Sequence, residues 1–263
     1  MAAARPQLEA RRILPLLRRI PLLTHWQYAR IRLSRYKTAL QTNTELTMKQ
    51  LVIFDLDGTL LNSIADLGAA ANFALTQCGF PTHPVESYPR FVGSGVTKLL
   101  ERVLPESARS AEQVEVMRRY FKEFYGEHMT DATVPYPGIP ELLEQLTSRG
   151  IAVAVASNKY QSAVEHLIAH YFPEIPWVAV EGHKEGIPVK PDPSIVFEIL
   201  SKRPTPKDAV LYVGDSGIDM ETARRACVES AGVTWGFRSL TELREHFADH
   251  IADTPSALLR LAL

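Results

Sequence analysis

The chain has 263 residues, 46% hydrophobic and 22% charged, the balance of a globular protein with a core to bury, and no apolar run reaches the length needed to span a bilayer. Its net charge of −1 hides an asymmetry: residues 1–47 carry nine Lys and Arg against two Glu, so the rest of the chain is acidic, which argues against a nucleic-acid surface there. Two distant cysteines, Cys78 and Cys227, have no metal-ligand spacing around them and read as small buried hydrophobes in a reducing, cytoplasmic compartment.

Residues 1–47 differ in kind from the rest of the chain. Pro15 and Pro21 interrupt the short apolar runs, so a secretory signal is not clear. A transit peptide fits the many arginines but not the single serine, Ser34, and a basic nucleic-acid arm is the other alternative. The reading favoured is a basic extension, non-native or disordered, with Met48 as the natural start, because MKQLVIFD suits the opening of a first strand.

Residues 51–54, LVIF, are too short for a helix and rich in strand formers, and predict a fully buried strand. Asp55 and Asp57 follow, and period-two geometry sends both carboxylates to the same side at the strand's end. An Asp-Gly pair is also a hairpin signal, but no second strand of matching length returns after Thr59. Ser63 and Asp66 have the spacing of a capping box opening a helix that runs to Gly79. Three prolines at 81, 84 and 89 then break the chain, and helical patterns resume at 96–103 and 111–129. Residues 62–132 contain no strand candidate.

From Pro135 helices and strands alternate: helix 140–149, strand 151–156, helix 160–172, strand 177–180, helix 193–200, strand 210–213, helix 218–226 and a last strand at 231–234. Alternation with apolar strands predicts an α/β, doubly wound parallel sheet of Rossmann-like form. The strand at 51 belongs to it. The domains expected are therefore a core of residues 48–61 and 138–263 and an inserted all-helical cap of residues 62–137.

Ligands bind beyond the carboxyl ends of such strands, so those ends should carry the chemistry. They hold Asp55 and Asp57, then Ser157, Asn158 and Lys159, then Asp215, Ser216 and Asp219, while Lys190 sits among Pro188, Pro191 and Pro193. Singly, Ser157, Asn158, Asp215 or Ser216 could cap a helix and Lys190 could be a solvated loop lysine. Those readings do not explain why all four ends share one face. Asp55, Asp57 and Asp215 can surround Mg²⁺, and Lys190 and the Ser157 hydroxyl suit phosphoryl oxygens. A carboxylate can also attack phosphorus.

DLDGT at 55–59, Ser157, Lys190 and GDSGID at 214–219, in this order, resemble the four motifs of the haloacid dehalogenase superfamily, and helices placed directly after the first motif resemble its type-1 cap. The resemblance implies that Asp55 is the nucleophile, that Asp57 is the acid and base, and that Asp55, Asp215 and the Asp57 carbonyl hold Mg²⁺. It gives phosphate binding to Ser157, Asn158 and Lys190, and a supporting or helix-capping place to Asp219. Asp57 sets the chain with phosphoryl transfer, because dehalogenases lack it. YPGIPELLEQL at 136–146, FVGSG at 91–95, VASNKY at 155–160 and VTWGF at 233–237 resemble the phosphoglycolate phosphatases, which makes a small phosphorylated metabolite the expected partner. Members acting on pyrophosphate or as β-phosphoglucomutases remain alternatives, and a phospho-receiver module is the non-enzymatic one. Specificity residues in the cap are expected among Arg90, Gly93, Gly95 and Lys98. Cys227 stands where the family has a small alanine or glycine run, and residues 1–47 have no counterpart.

Overall fold

A computed structural model describes residues 48–263; the expectations for residues 1–47 lie outside the described residues. Strand β1 (Leu51–Phe54) is wholly buried and is paired in parallel on both sides. Its side chains divide by parity: Val52 and Phe54 enter one apolar layer, Leu51 and Ile53 the other. A strand buried on two faces has no use for alternation, hence four apolar residues in succession.

After β1 the chain makes a two-residue strand β2 (Leu61–Asn62), then helices α1 (Ile64–Gln77), α2 (Gly95–Val103) and α3 (Ala111–His128), then β3 (Val134–Pro135). Alternation follows: α4 (Ile139–Ser148), β4 (Ala152–Tyr160), α5 (Gln161–Tyr171), β5 (Trp177–His183), α6 (Ser194–Lys202), β6 (Val210–Gly214), α7 (Gly217–Ala226) and β7 (Glu229–Val233). The chain ends with α8 (Leu240–Glu245), β8 (His250–Ala252) and α9 (Pro255–Ala262). The six-stranded sheet has order β5-β4-β1-β6-β7-β8, and every pairing in it is parallel. The Rossmann-like expectation is met. Because β4 and β6 flank β1, the strand order turns around at β1, and a crevice opens beyond its carboxyl end.

Three details depart from the sequence reading. Strand β4 does not stop at residue 156 but carries Ser157, Asn158 and Lys159 within it, with register shifts against β5. Residues 229–233 are not the last strand, since β8 adds an edge whose His250 and Ile251 are only half-buried and leave no continuous apolar run to read. Cys227 is exposed rather than buried, in the left-handed region (φ 57°) at the end of α7; Cys78 is half-buried.

Helices α1 and α3 pack through aromatic residues, with Phe73 of α1 stacked on Phe124 of α3 at 4.7 Å between ring centroids, and α2 buries Leu99, Leu100 and Val103. The single-turn segment Val85–Arg90, where three prolines predicted only a break, buries Tyr88, whose hydroxyl donates to Asn72 Oδ1 at 2.6 Å. Where the helical stretch leaves and rejoins the sheet, β2 and β3 pair antiparallel. The expected capping box at α1 does not form. Ser63 donates instead to Asp57 Oδ1 at 2.5 Å, and Asp66, 4% exposed, accepts from the Ala132 and Thr133 amides and the Thr133 hydroxyl at 2.7–3.1 Å.

One carboxylate thus ties the start of α1 to the chain returning 66 residues later. Truncating it leaves two backbone N–H groups without acceptors, so Asp66→Ala should destabilise the fold by about 2–4 kcal/mol. Urea unfolding of Asp66→Ala and Asp66→Asn measures this, with Asn expected to recover part of the loss.

Candidate active site

Leu56, fully buried, anchors the turn after β1 and separates the two acids. Asp55 Oδ1 accepts from the Leu56 amide at 2.7 Å and from Lys190 Nζ at 2.8 Å. Lys190, 3% exposed, also donates to Asp219 Oδ1 at 2.8 Å and to the Ala156 carbonyl at 3.0 Å, so all three of its protons are taken within the protein. Burial alone would lower the pKa of its ammonium; Asp219 and Asp55 outweigh that and hold it well above the ordinary lysine value.

Asp215 follows β6, and space for it depends on two glycines. A Cβ at Gly58, which has φ of 87°, would lie 2.4 Å from Asp215 Oδ2, and one at Gly236 would lie 2.3 Å from Asp215 Cβ. Asp215 Oδ2 accepts from the Phe237 amide at 2.7 Å. Asp219 fills both roles expected of it: Oδ2 accepts from the Ser216 amide and hydroxyl in the capping box of α7, while Oδ1 holds Lys190.

The acid cluster differs from the expected one. Oxygens of Asp55, Asp215 and Asp219 lie within 4.8 Å of one another, whereas the Asp57 carboxylate turns to Ser63 and to Lys159 Nζ at 3.0 Å. Strict alternation fails here because β1 ends at Phe54, so Asp55 and Asp57 no longer share a pleat. Burial raises the Asp55 carboxyl to about 7 against the pull of Lys190, and burial together with Asp219 and Asp55 raises Asp215 well above the carboxylate range. Buried acids held this close stay ionised only beside a cation. Hard oxygen donors in a group of this size fit Mg²⁺, with Asp55 and Asp215 as its carboxylates, because both oxygens of Asp219 already have partners.

Ser157 and Asn158 line the cavity above this cluster, together with Asp55, Asp57 and Asp215. Neither caps α5, whose N-cap is Tyr160. Asn158 Nδ2 donates to the carbonyls of Gly93 and Lys190, each at 3.1 Å, and Oδ1 accepts from the Lys190 amide at 2.8 Å. Of the expected cap residues, Gly93 and Gly95 line the cavity. Lys98 does not; it is a surface residue paired with Glu101 at 2.6 Å, and the Arg90 guanidinium lies exposed over the Phe91 ring. Lys159, which the sequence puts at a strand end without a role, shares the lining with Tyr125 and Arg238, which no motif singles out. Tyr125 had shown a signal, its helical spacing with Phe121, but that spacing reads equally as core.

Comparison with known proteins places this arrangement. A sequence model of the haloacid dehalogenase-like hydrolases matches residues 52–233. A phosphoglycolate phosphatase of Aquifex aeolicus (strain VF5) is 34% identical over 220 residues, covering 81% of this chain and 96% of that protein, and one of Vibrio parahaemolyticus is 32% identical over 222 residues, covering 81% and 95%. Among solved structures, an inferred phosphoglycolate phosphatase of Lactobacillus delbrueckii subsp. bulgaricus superposes with a TM-score of 0.78 at 34% identity, covering 82% of this chain and 99% of that one. The chain belongs to the haloacid dehalogenase-like hydrolases. No described helix is long and apolar enough to cross a membrane.

The raised carboxyls predict a pH-dependent response to metal. A group whose pKa is raised in the fold adds stability below its unfolded value, near 4, and loses it as pH rises through its folded value, here about 7 for Asp55. The metal-free chain should therefore weaken over that window, and Mg²⁺, which needs both acids ionised, should raise the melting temperature more at about pH 8 than at about pH 5.5. Thermal melts with and without Mg²⁺ check this, and Asp215→Asn should remove most of the metal's effect.

Proposed function

We propose that this chain is a Mg²⁺-dependent phosphatase of small phosphate monoesters, with 2-phosphoglycolate as substrate, acting through an aspartyl phosphate on Asp55. The observation that carries the reading is the meeting of Asp55, Asp57, Ser157 and Asp215 in one cavity beyond the carboxyl ends of β1, β4 and β6, roofed by residues of α2 and α3. The names of the relatives support the substrate.

Asp55 attacks phosphorus in line, its carboxylate forming the new P–O bond as the ester P–O bond breaks. Asp57 gives its proton to the departing alkoxide, then takes one from the water that attacks the acyl phosphate and releases inorganic phosphate. Ser63 and Lys159 fix the Asp57 carboxylate. The Ser157 hydroxyl and the Asn158 amide bind the phosphoryl oxygens. Lys190, with its protons committed, aims Asp55 and contributes charge rather than a direct hydrogen bond. Asp55, Asp215 and the Asp57 carbonyl would hold Mg²⁺, whose charge would shield the nucleophile from the anionic substrate.

Residues 62–137 would serve as a lid over this chemistry, hinged at β2 and β3. Tyr125 from α3 and Lys159 from β4, rather than Lys98 and Arg90, face the leaving group.

Phosphate release from a panel of monoesters led by 2-phosphoglycolate tests the reading. Release should require Mg²⁺ and be greatest for 2-phosphoglycolate. Asp55→Asn should show no turnover while melting cooperatively, and Asp57→Asn should lower kcat by about 10²–10⁴-fold. Residual turnover by a clean Asp55→Asn preparation would remove the covalent step, and an unchanged rate in Asp57→Asn would remove the proton transfer.

A further inference from the structure

The leaving-group end of the cavity has a polar corner of which the phosphoryl chemistry uses only the contact from Lys159 to Asp57. Tyr125 reaches it from α3 and is fully buried, yet its hydroxyl has no hydrogen-bond partner among the described residues. Beside it stands Lys159, whose side chain is 4% exposed and whose Nζ lies 3.0 Å from Asp57 Oδ2 and 4.7 Å from the centre of the Tyr125 ring. Both line the cavity that holds Asp55 and Asp57. An ammonium has three protons; Asp57 takes one and the Tyr125 hydroxyl oxygen faces a second, which leaves one for a ligand. Lys159 can only donate to the Tyr125 oxygen, so the buried O–H proton still lacks an acceptor, which a ligand can supply.

Charge says what that ligand carries. The phosphoryl end of the site faces Asp55 and Asp215, and the leaving-group end faces Asp57, so an anionic leaving group needs a cation close to Asp57. Lys190 cannot serve, with its three protons on Asp55, Asp219 and the Ala156 carbonyl. Arg238 is turned to the Val92 carbonyl at 2.8 Å and to Glu242 at 3.7 Å. Lys98 and Arg90 stand outside the cavity. Of the cations lining the cavity, Lys159 is the one in contact with Asp57.

We propose that Lys159 and Tyr125 form the subsite for a carboxylate on the leaving group, set about one carbon from the ester oxygen. Lys159 Nζ makes a charged hydrogen bond to one carboxylate oxygen and the Tyr125 hydroxyl donates to the other. The spacing follows from Asp57, which meets the ester oxygen and is itself within hydrogen-bonding distance of Lys159; a carboxylate far down a longer chain would overshoot the pair. This rests on the phosphatase reading above and deepens it, since it names the two side chains that separate 2-phosphoglycolate from a neutral ester of the same size.

The test compares 2-phosphoglycolate with 2-hydroxyethyl phosphate, which replaces the carboxylate by a hydroxymethyl group. The wild-type chain should prefer the acid by about 100-fold in kcat/KM, the effect of a buried charged hydrogen bond. Lys159→Met should lower kcat for both esters through Asp57 and reduce the preference to within about 5-fold, the selective part of its effect falling on KM for the acid, and Tyr125→Phe should reduce the preference by about 10-fold. The ratio is taken on one preparation, so loss of folded protein cancels, and a change in Asp57 affects both esters alike. A preference that survives in Lys159→Met overturns the subsite, as does a wild-type chain that hydrolyses both esters equally; hydrolysis of neither by the wild type overturns the phosphatase reading on which it rests. If Lys159→Met turns over neither ester, calorimetric binding of both to Asp55→Asn and to Asp55→Asn/Lys159→Met decides: discrimination lost in the double variant supports the subsite, and discrimination kept overturns it.

Discussion

A single buried ammonium, that of Lys190, governs the geometry of the site. It sits between the nucleophile position, Asp55, and Asp219, which also closes the capping box of α7, and it fastens to the Ala156 carbonyl on β4. One nitrogen thus ties together the end of β1, the middle of β4 and the start of α7. Desolvating a lysine and two carboxylates costs several kcal/mol each, and such a group is stable only when every proton and most lone pairs are used. Here they are used. The constraint explains why the loop carrying Lys190 is pinned a second time, through its backbone, by Asn158.

That constraint also separates roles that the sequence merges. In the sequence Lys190 reads as both a phosphate ligand and a partner of Asp55; in the structure its donors are exhausted on the protein, leaving it a source of charge and alignment. The Ser157 hydroxyl stays on the cavity wall, where a phosphoryl oxygen can meet it. Asp219, expected as a cap or supporting residue, is both, because its two oxygens point in different directions.

The sheet was legible because its strands are short, apolar and punctuated by residues with chemical duties at their carboxyl ends. Leu51 to Phe54 could be little else. Hidden were the features that depend on partners distant in sequence. Asp66 looks like half of a capping box until the Ala132 and Thr133 amides arrive to claim it, and the last strand shows only once β7 offers an edge for His250 to Ala252. The same holds at the site. Lys98 draws attention by its charge and Lys159 gets a place at a strand end but no role, because which of two lysines faces a cavity is settled by the packing of α3 over β4, not by any local pattern.

The contacts between the helical stretch and the sheet differ in strength in a way that suits a hinged lid. At the hinge, a buried carboxylate takes three hydrogen bonds and the Thr133 carbonyl accepts from the Tyr171 hydroxyl at 2.6 Å. At the mouth of the cavity, the loop before α2 is met by single bonds to two successive carbonyls, Asn158 to Gly93 and Arg238 to Val92. Backbone carbonyls on a loop exchange such partners for water at little net cost, whereas an unpaired buried carboxylate does not. If residues 62–137 open as the proposed lid, the contacts at the mouth break and those at the joints stay. Asn158 adds a link between the two events, since the amide that lets go of Gly93 belongs to the residue that holds the Lys190 backbone.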